Sequence, residues 1–156
     1  MLKRILLVLL ILLIVAQFIQ PSHNNGNATG PKDITQVVPV PDEVMGLLKT
    51  SCYDCHSDHT NYPWYSKITP VNWWLKDHID DGKKELNFSQ FATYKAKRMD
   101  KKFDEIAEQV KEHEMPLNSY LWIHKEAKLT DEQRVLITNW ASDARKKIAA
   151  DSTLGG

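Results

Sequence analysis

The stretch Cys52-Tyr53-Asp54-Cys55-His56 decides how this chain folds, and it contains the only two cysteines present. The order Cys-x-x-Cys-His is the attachment signature of a c-type haem. Each thiol would add to one vinyl group of the porphyrin, and the adjacent imidazole of His56 would bind the iron as the proximal ligand. The motif therefore predicts one covalently attached haem c, around which the rest of the chain forms a core.

Other uses of the two cysteines fit the sequence less well. A zinc site would need two further ligands, and His56 and His59 would crowd all four into eight residues. A thioredoxin-like redox pair normally follows a strand in a βαβ unit, and the sequence shows no such alternation. A disulfide would close a very short loop and add little stability, because its entropic benefit grows with loop length.

Apolar residues recur at three- and four-residue spacing on both sides of the motif, which is typical of amphipathic helices. The first predicted helix has Asp42 as its N-cap and carries Cys52 and Cys55 on its apolar face. A second helix is predicted to begin at Thr69-Pro70 and to stop at Gly82. Its predicted inward residues are Val71, Trp74, Leu75, His78 and Ile79.

The second half of the chain predicts further helices and no strands. Ser89 is a candidate cap of a short helix, and Thr130 begins the last helix with Gln133 completing a capping box. The longer helix between them has an apolar face of Met99, Phe103, Ile106, Ala107 and Val110. The predicted buried side of the last helix is Val135, Leu136, Trp140 and Ala144. The pattern predicts an all-α fold.

Composition divides the chain into four segments. Residues 1–19 are an apolar run and residues 20–41 are polar and rich in turn formers, as in a flexible linker. Residues 42–150 are predicted to form the haem-binding domain, and residues 151–156 a tail. The chain has 20 basic and 20 acidic residues, a balance that gives no indication of nucleic-acid binding.

The first segment is predicted to be an uncleaved membrane anchor, with a removed signal peptide as the alternative. Residues 5–19 would span about 22 Å as a helix, less than a hydrocarbon core of about 30 Å. Lys3 and Arg4 would stay cytoplasmic. The sequence thus predicts a single-pass inner-membrane protein whose haem domain is periplasmic.

A six-coordinate haem needs a second axial ligand opposite His56. Met115 is the favoured candidate, because it lies in a loop before the last helix and Pro116 stiffens the backbone there. A thioether ligand favours the ferrous state and raises the reduction potential. His78, on the apolar face of the second predicted helix, is the alternative distal ligand.

Five stretches between about Asp33 and Ala141 form a pattern more specific than the pentapeptide alone. They are Ser51-Cys52-Tyr53-Asp54-Cys55-His56-Ser57, Asn61-Tyr62-Pro63-Trp64-Tyr65, Gly82-Lys83-Lys84-Glu85-Leu86-Asn87-Phe88-Ser89, Glu114-Met115-Pro116-Leu117 and Leu129-Thr130-Asp131-Glu132-Gln133. With them the chain resembles the bacterial haem-binding domain family, whose members carry one Cys-x-x-Cys-His motif, and the order of elements is also similar to that of class I c-type cytochromes. The resemblance implies a small cytochrome c-like helical domain behind the N-terminal hydrophobic helix, attachment at Cys52 and Cys55, and iron ligation by His56 and Met115.

The function predicted from these features is single-electron transfer by a membrane-tethered monohaem cytochrome, with membrane or periplasmic redox proteins as partners. The sequence shows no nucleophile–base pair, so we expect no enzyme. Two alternatives stay open. One is a five-coordinate haem that senses a gas or acts like a peroxidase, and the other is a haem-bearing accessory subunit of a membrane redox complex.

Overall fold

The structure is a computed structural model that describes residues 1–150, so the predicted tail 151–156 lies outside the described residues. Residues 1–150 contain no strand, only a single β-bridge between Asn25 and His59. The prediction of an all-α fold is confirmed. The α-helices are α1 (Leu2–Ala16), α2 (Asp42–Ser51), α3 (Tyr53–His56), α4 (Val71–Glu85), α5 (Ala96–Lys111), α6 (Asn118–Leu121) and α7 (Asp131–Ala150), and single 3₁₀ segments lie at Ile34–Gln36, Trp64–Lys67, Phe88–Thr93 and Lys125–Ala127.

The core forms mainly where α5 packs against α7. The apolar face predicted for α5 is confirmed, because Met99, Phe103, Ile106 and Val110 are all buried. Phe103 is fully buried and meets Trp140 of α7 edge to face, with ring centroids 5.6 Å apart. Burial of such large rings is a major contribution to the stability of a core.

The buried face of α7 differs from the prediction. Val135 is 58 % exposed, so its assignment to the buried side was wrong. Successive residues of a helix point about 100° apart, and burying Ile137 and Ala141 against α5 turns Val135 towards solvent. The residues that α7 buries are Arg134, Ile137, Trp140, Ala141, Ala144 and Ile148.

The capping box at the start of α7 is confirmed. The backbone N–H of Thr130 donates to Oε1 of Gln133 at 2.9 Å, and the backbone N–H of Gln133 donates to Oγ1 of Thr130 at 3.3 Å. Two backbone donors are therefore satisfied reciprocally at the helix end that faces α5 and the loop after it.

Substituting the cap residue should weaken the fold measurably. Thr130→Ala removes the acceptor for the Gln133 amide, and we expect the free energy of unfolding to fall by about 1 kcal/mol. Denaturant unfolding measures this change. The control is Thr50→Ala, because Thr50 is exposed in α2 and its hydroxyl only returns to the Gly46 carbonyl at 3.0 Å. An equal loss in both variants would contradict the capping role.

The helix predicted to carry both cysteines is interrupted at Cys52, and it begins one residue away from its predicted start. Asp42 is the first helical residue and Pro41 takes the cap position. α2 ends at Ser51, and Cys52 leaves the helical conformation with φ −131° and ψ −40°. The Cys52 carbonyl then accepts the amides of Cys55 and His56 at 3.2 and 2.9 Å. The motif therefore forms its own helical turn, α3, and does not continue the stripe of α2.

Two further helix boundaries also differ from the prediction. α4 continues past Gly82 to Glu85, because this glycine is required by a close contact described below and not by a helix end. The turn at Phe88–Thr93 is capped by Asn87, whose side chain accepts the amide of Ser89 at 3.0 Å. Ser89 is thus the capped residue and not the cap.

The face that α4 buries is narrower than predicted. Leu75 and Ile79 are buried as expected, and Asn72 is buried beside them. Val71 is exposed and Trp74 is 45 % exposed. The reason is that α4 packs against α3 and the Trp64–Lys67 turn along one edge only, which leaves the Trp74 side at the rim of a cleft.

The predicted single-pass inner-membrane location is wrong. Among residues 1–150 no helix has both the length and the apolar character that a membrane crossing requires. α1 ends at Ala16 after fifteen residues, which is about 22 Å of helix. The chain leaving α1 contacts the start of α4, where Gln17 exchanges two hydrogen bonds of 3.0 Å with the backbone of Thr69.

Part of the stretch 20–41, which we expected to be a flexible linker, packs into the helical domain. Asp33 and Ile34 are fully buried, and Val38 is 2 % exposed. The hydroxyl of Tyr53 donates to Oδ2 of Asp33 at 3.1 Å. This contact ties the stretch to the cysteine motif, while the division of the chain into four segments stays a prediction.

Candidate functional site

A cleft lined mainly by apolar atoms lies between α3, α4, α5 and the loop after α5. It consists of two cavities of about 400 Å³ and 300 Å³ that share Cys52, His56 and Met115 as lining residues. Ligand pockets of proteins usually measure roughly 300–1,000 Å³. Cys55 and His78 line the smaller cavity. All five residues that the sequence singled out therefore line one cleft.

The imidazole of His56 is held in one tautomer by two backbone carbonyls. Nδ1 lies 2.9 Å from the carbonyl oxygen of Gly82 and 3.0 Å from that of Leu86. A carbonyl oxygen only accepts hydrogen bonds, so Nδ1 carries the proton and Nε2 keeps its lone pair. Metal-binding histidines are oriented by the same kind of contact. Nε2 is thus the nitrogen available to a metal ion.

Burial keeps this imidazole neutral. Loss of solvent lowers the pKa of His56, and the nearby charge of Lys102 lowers it further, while the hydrogen bonds to Leu86 and Gly82 act in the opposite direction. A neutral imidazole is the form that binds metal ions. His56 is therefore ready to act as a ligand without first losing a proton.

The two cysteines are unpaired and partly buried. Burial, with a smaller contribution from the charge of Cys55, raises the pKa of Cys52 to about 12. Burial and then the charge of Asp54 raise the pKa of Cys55 to about 11. A thioredoxin-like pair needs a thiol of low pKa, so the raised pKa values of both cysteines disfavour that interpretation.

The zinc interpretation is also disfavoured. In residues 1–150 no group of three or more His, Cys, Asp and Glu side chains could hold a metal ion.

The two residues between the cysteines fix the motif to the rest of the domain. Tyr53 is buried and reaches Asp33, as described above. Asp54 accepts the hydroxyl of Tyr120 at Oδ2 (2.9 Å) and the backbone N–H of Asn61 at Oδ1 (3.0 Å). Tyr53 therefore lies outside the cleft, whereas Asp54 and its partner Tyr120 line the smaller cavity beside Cys55 and His56.

The backbone of α4 approaches α3 very closely at Gly82. A Cβ atom at this position would lie 2.7 Å from the carbonyl oxygen of Cys55 and 3.2 Å from its carbonyl carbon. No side chain fits there without moving backbone atoms. The absence of a side chain at Gly82 therefore brings its carbonyl within reach of His56 and sets the distance between α4 and α3.

A well-defined turn presents Met115 to the cleft. At the end of α5, the N–H of Glu114 bonds to the carbonyl of Gln109 (3.0 Å) and the N–H of His113 bonds to that of Val110 (3.3 Å). His113 has φ 63°, the left-handed conformation that ends helices in this way. Met115 follows directly, with its own N–H on the Gln109 carbonyl at 3.1 Å.

His78 occupies a different part of the cleft. Its Nδ1 donates to the Trp74 carbonyl at 2.9 Å, and its ring packs on that indole with centroids 4.2 Å apart. It lies on α4, one turn before Gly82, and therefore on the helix that supports His56 from behind. Met115 lies on the separate segment that follows α5.

The residues that line the cleft fall within a region that matches a known protein family. The model of the family described as a haem-binding domain matches residues 11–143. The chain belongs to this family. The resemblance inferred from the sequence motifs is thereby confirmed, and the haem-binding match includes every residue of the cleft. No curated protein and no solved structure matched the chain.

The cleft of this haem-binding domain suits a porphyrin in its chemistry. Two thiols lie along one edge, a neutral imidazole nitrogen is available, and a thioether lines the same space. The wall of the larger cavity includes the apolar side chains Leu48, Leu86, Phe88, Ile106 and Val110. Cys52, Cys55, His56 and Met115 are the residues that could hold a haem here.

Sequence patterns did not reveal the supporting contacts of the haem-binding cleft. The contacts of His56 with the carbonyls of Gly82 and Leu86 involve backbone atoms, which every residue has, so no residue type indicates them. The same is true of the contact of Arg134 with the Met115 carbonyl, described below. At Gly82 the sequence pattern predicts the end of a helix and not a close backbone contact. A glycine inside a run that continues in helical spacing to Glu85 is the one signal that could have indicated a close backbone contact.

Proposed function

We propose that this haem-binding protein carries single electrons on one covalently attached haem c. The observation that supports this most is the arrangement of α3, where two unpaired thiols precede an imidazole whose Nδ1 is held by two carbonyls. A zinc site or a dithiol redox pair would not need the adjoining apolar cleft.

Each proposed role follows from the position of the residue. The thiols of Cys52 and Cys55 would each add across one vinyl group, so that sulfur bonds to one vinyl carbon and the thiol hydrogen goes to the other. His56 would bind the iron through Nε2, because Nδ1 is committed to Gly82 and Leu86. The haem supplies an iron that changes between the ferric and the ferrous state, and the protein supplies ligands and a dry site.

Met115 is the distal ligand in this proposal. α4 supports His56 through the Gly82 carbonyl and also carries His78, so a haem held by His56 would meet His78 on the supporting helix and not on a separate segment. Met115 projects from the separate segment after α5. The Nδ1 of His78 bonds to the Trp74 carbonyl, which leaves its Nε2 free as in His56, so the position of the residue and not its hydrogen bonding separates it from Met115.

Two protein ligands favour electron transfer over substrate chemistry. Six-coordinate iron offers no open position for a substrate, and it keeps its ligands when its charge changes. Trp74 and Leu117 line the smaller cavity and are 45 % and 36 % exposed. This edge of the cleft is where a redox protein would approach in brief encounters of small contact area.

The test is the optical spectrum of the haem-loaded protein, recorded oxidised and then reduced. We expect a low-spin spectrum with the weak far-red band of an iron–sulfur bond. Met115→Ala should abolish that band and lower the reduction potential by on the order of 0.1 V or more, since axial ligands tune haem potentials over about 0.8 V. Met45→Ala is the control, because Met45 packs against the core away from the cleft.

The same measurement decides between the proposal and its alternative. A high-spin spectrum that shifts on adding cyanide or carbon monoxide would mean an open iron position, and the sensor or peroxidase-like function would replace electron transfer. A far-red band that persists in Met115→Ala would show that another residue is the ligand.

A further inference from the structure

We propose that Arg134 is a positioning residue that holds Met115 at its place in the cleft. This inference rests on the proposed function, in which Met115 is the distal ligand. Arg134 lies in the first turn of α7 and is 7 % exposed. Arg134 does not itself line the cleft, so its effect on a haem would pass through the lining residue Met115.

One nitrogen of the guanidinium joins α5 to the Met115 turn. Nη1 donates to the carbonyl oxygen of Val110 at 2.7 Å and to the carbonyl oxygen of Met115 at 2.9 Å. The amide of Met115 is held from the other side by the Gln109 carbonyl at 3.1 Å. Both polar groups of the Met115 backbone are therefore fixed, one by α5 and one by α7.

The surroundings of this guanidinium are unusual for a buried charge. Within residues 1–150, no carboxylate forms an ion pair with Arg134, and its buried Nε has no hydrogen-bond partner. Burying a charge without a counter-charge costs free energy. Apolar residues of similar volume are often as stabilising as a buried charged group, so stability alone is a poor reason for an arginine here.

The geometry gives a reason that stability does not. A methionine ligand stays on the iron only if its backbone is kept in reach, and the turn after α5 has its outer side towards solvent at Glu112, His113 and Glu114. Arg134 of α7 is the side chain that donates to the Met115 carbonyl and so joins this turn to the last helix. A carbonyl bonded to a cationic donor is also held more tightly than one bonded to a neutral donor.

The experiment compares two arginines of the same helix. Arg145 also joins α7 to α5, through Asp100 at 2.9 Å and through Asp104, but it makes no contact with the Met115 turn. Arg134→Met and Arg145→Met are loaded with haem, and cyanide binding to the ferric protein is followed by stopped flow, together with the far-red band and the thermal midpoint. Cyanide can bind only when Met115 has left the iron.

We expect Arg134→Met to bind cyanide about ten-fold faster or more, the factor that corresponds to losing one hydrogen bond to a charged group. The far-red band should weaken in the same variant. Arg145→Met should bind cyanide at the wild-type rate even if its thermal midpoint falls. Arg134→Lys keeps the charge without the planar fork, and we expect an intermediate rate; this variant also serves if Arg134→Met fails to fold.

The outcomes separate this inference from the proposed function. A wild-type protein without the far-red band would refute Met115 ligation itself. If the wild type shows the far-red band but both Arg134 variants bind cyanide within two-fold of the wild-type rate, only the role of Arg134 is refuted. Equal acceleration in Arg134→Met and Arg145→Met would show a general loosening of α5 against α7, and it would overturn the inference as well.

Discussion

The variant in which Cys52 and Cys55 are both replaced with alanine should contain no covalently bound haem. The two thiols are the only ones in the chain, and both cysteines line the cleft, Cys52 directly before α3 and Cys55 within it. With them removed, any haem would be held by His56 and apolar contacts alone. We therefore expect the bound fraction after acid–acetone extraction to fall from nearly complete to none, whereas each single variant keeps one thioether.

The measurement is the haem content and the mass of the polypeptide after expression with cytochrome c maturation machinery. Ser51→Ala is the matched control, because Ser51 lines the same cleft and its hydroxyl only bonds to the Ala127 carbonyl at 3.0 Å. Ser51→Ala should carry one haem per chain. A wild-type protein whose haem is fully extractable would contradict covalent attachment, and a mass increase of two haems would contradict the predicted stoichiometry.

Gly82→Ala should destabilise the haem-loaded protein and reduce its haem yield. The added Cβ would lie 2.7 Å from the Cys55 carbonyl oxygen and 3.2 Å from the Cys55 Cβ, so α3 or α4 must move. Overpacking of this kind costs about 1–3 kcal/mol. The movement would also take the Gly82 carbonyl away from Nδ1 of His56, and so remove one of the two contacts that hold this imidazole in one tautomer.

Gly46→Ala is a control of opposite expected sign. Gly46 is also a helical glycine, but a Cβ there would meet nothing within 4 Å. Alanine should therefore stabilise α2 by about 0.5–1 kcal/mol. Denaturant unfolding of the two haem-loaded variants measures the difference. If Gly82→Ala is as stable as Gly46→Ala, the close contact with Cys55 does not constrain the fold.

Several elements could be predicted from local sequence because local interactions determine them. The capping box of α7 depends on two residues three positions apart, Thr130 and Gln133, and the structure reproduces both of its hydrogen bonds. The apolar face of α5 follows from helical spacing and is confirmed. Failures occurred where a distant contact overrode the local pattern, as at Gly82, whose helix continues because the residue is needed against Cys55.

The length of α1 and the face of α7 show the same limit. The apolar run of the sequence extends to Ile19, but the helix ends at Ala16, and Gln17 then contacts Thr69 of a segment that begins fifty-two positions later. On α7, the packing against α5 buries Ile137 and Arg134 and leaves Val135 exposed. Hydropathy alone could not favour a buried arginine over an exposed valine.

The sequence by itself determined the chemistry of the candidate site, namely two thiols and an imidazole in the order Cys52, Cys55 and His56, with Met115 as a further possible ligand. These assignments need only the order and identity of the residues. The tertiary structure decided which groups hold them: Gly82 and Leu86 on Nδ1 of His56, and Arg134 on the carbonyl of Met115. The physical reason is that these are contacts of backbone carbonyls with side chains of residues 19 to 30 positions away. Every residue has the same carbonyl, so only the packing of the helices determines which carbonyl comes within reach of a given side chain.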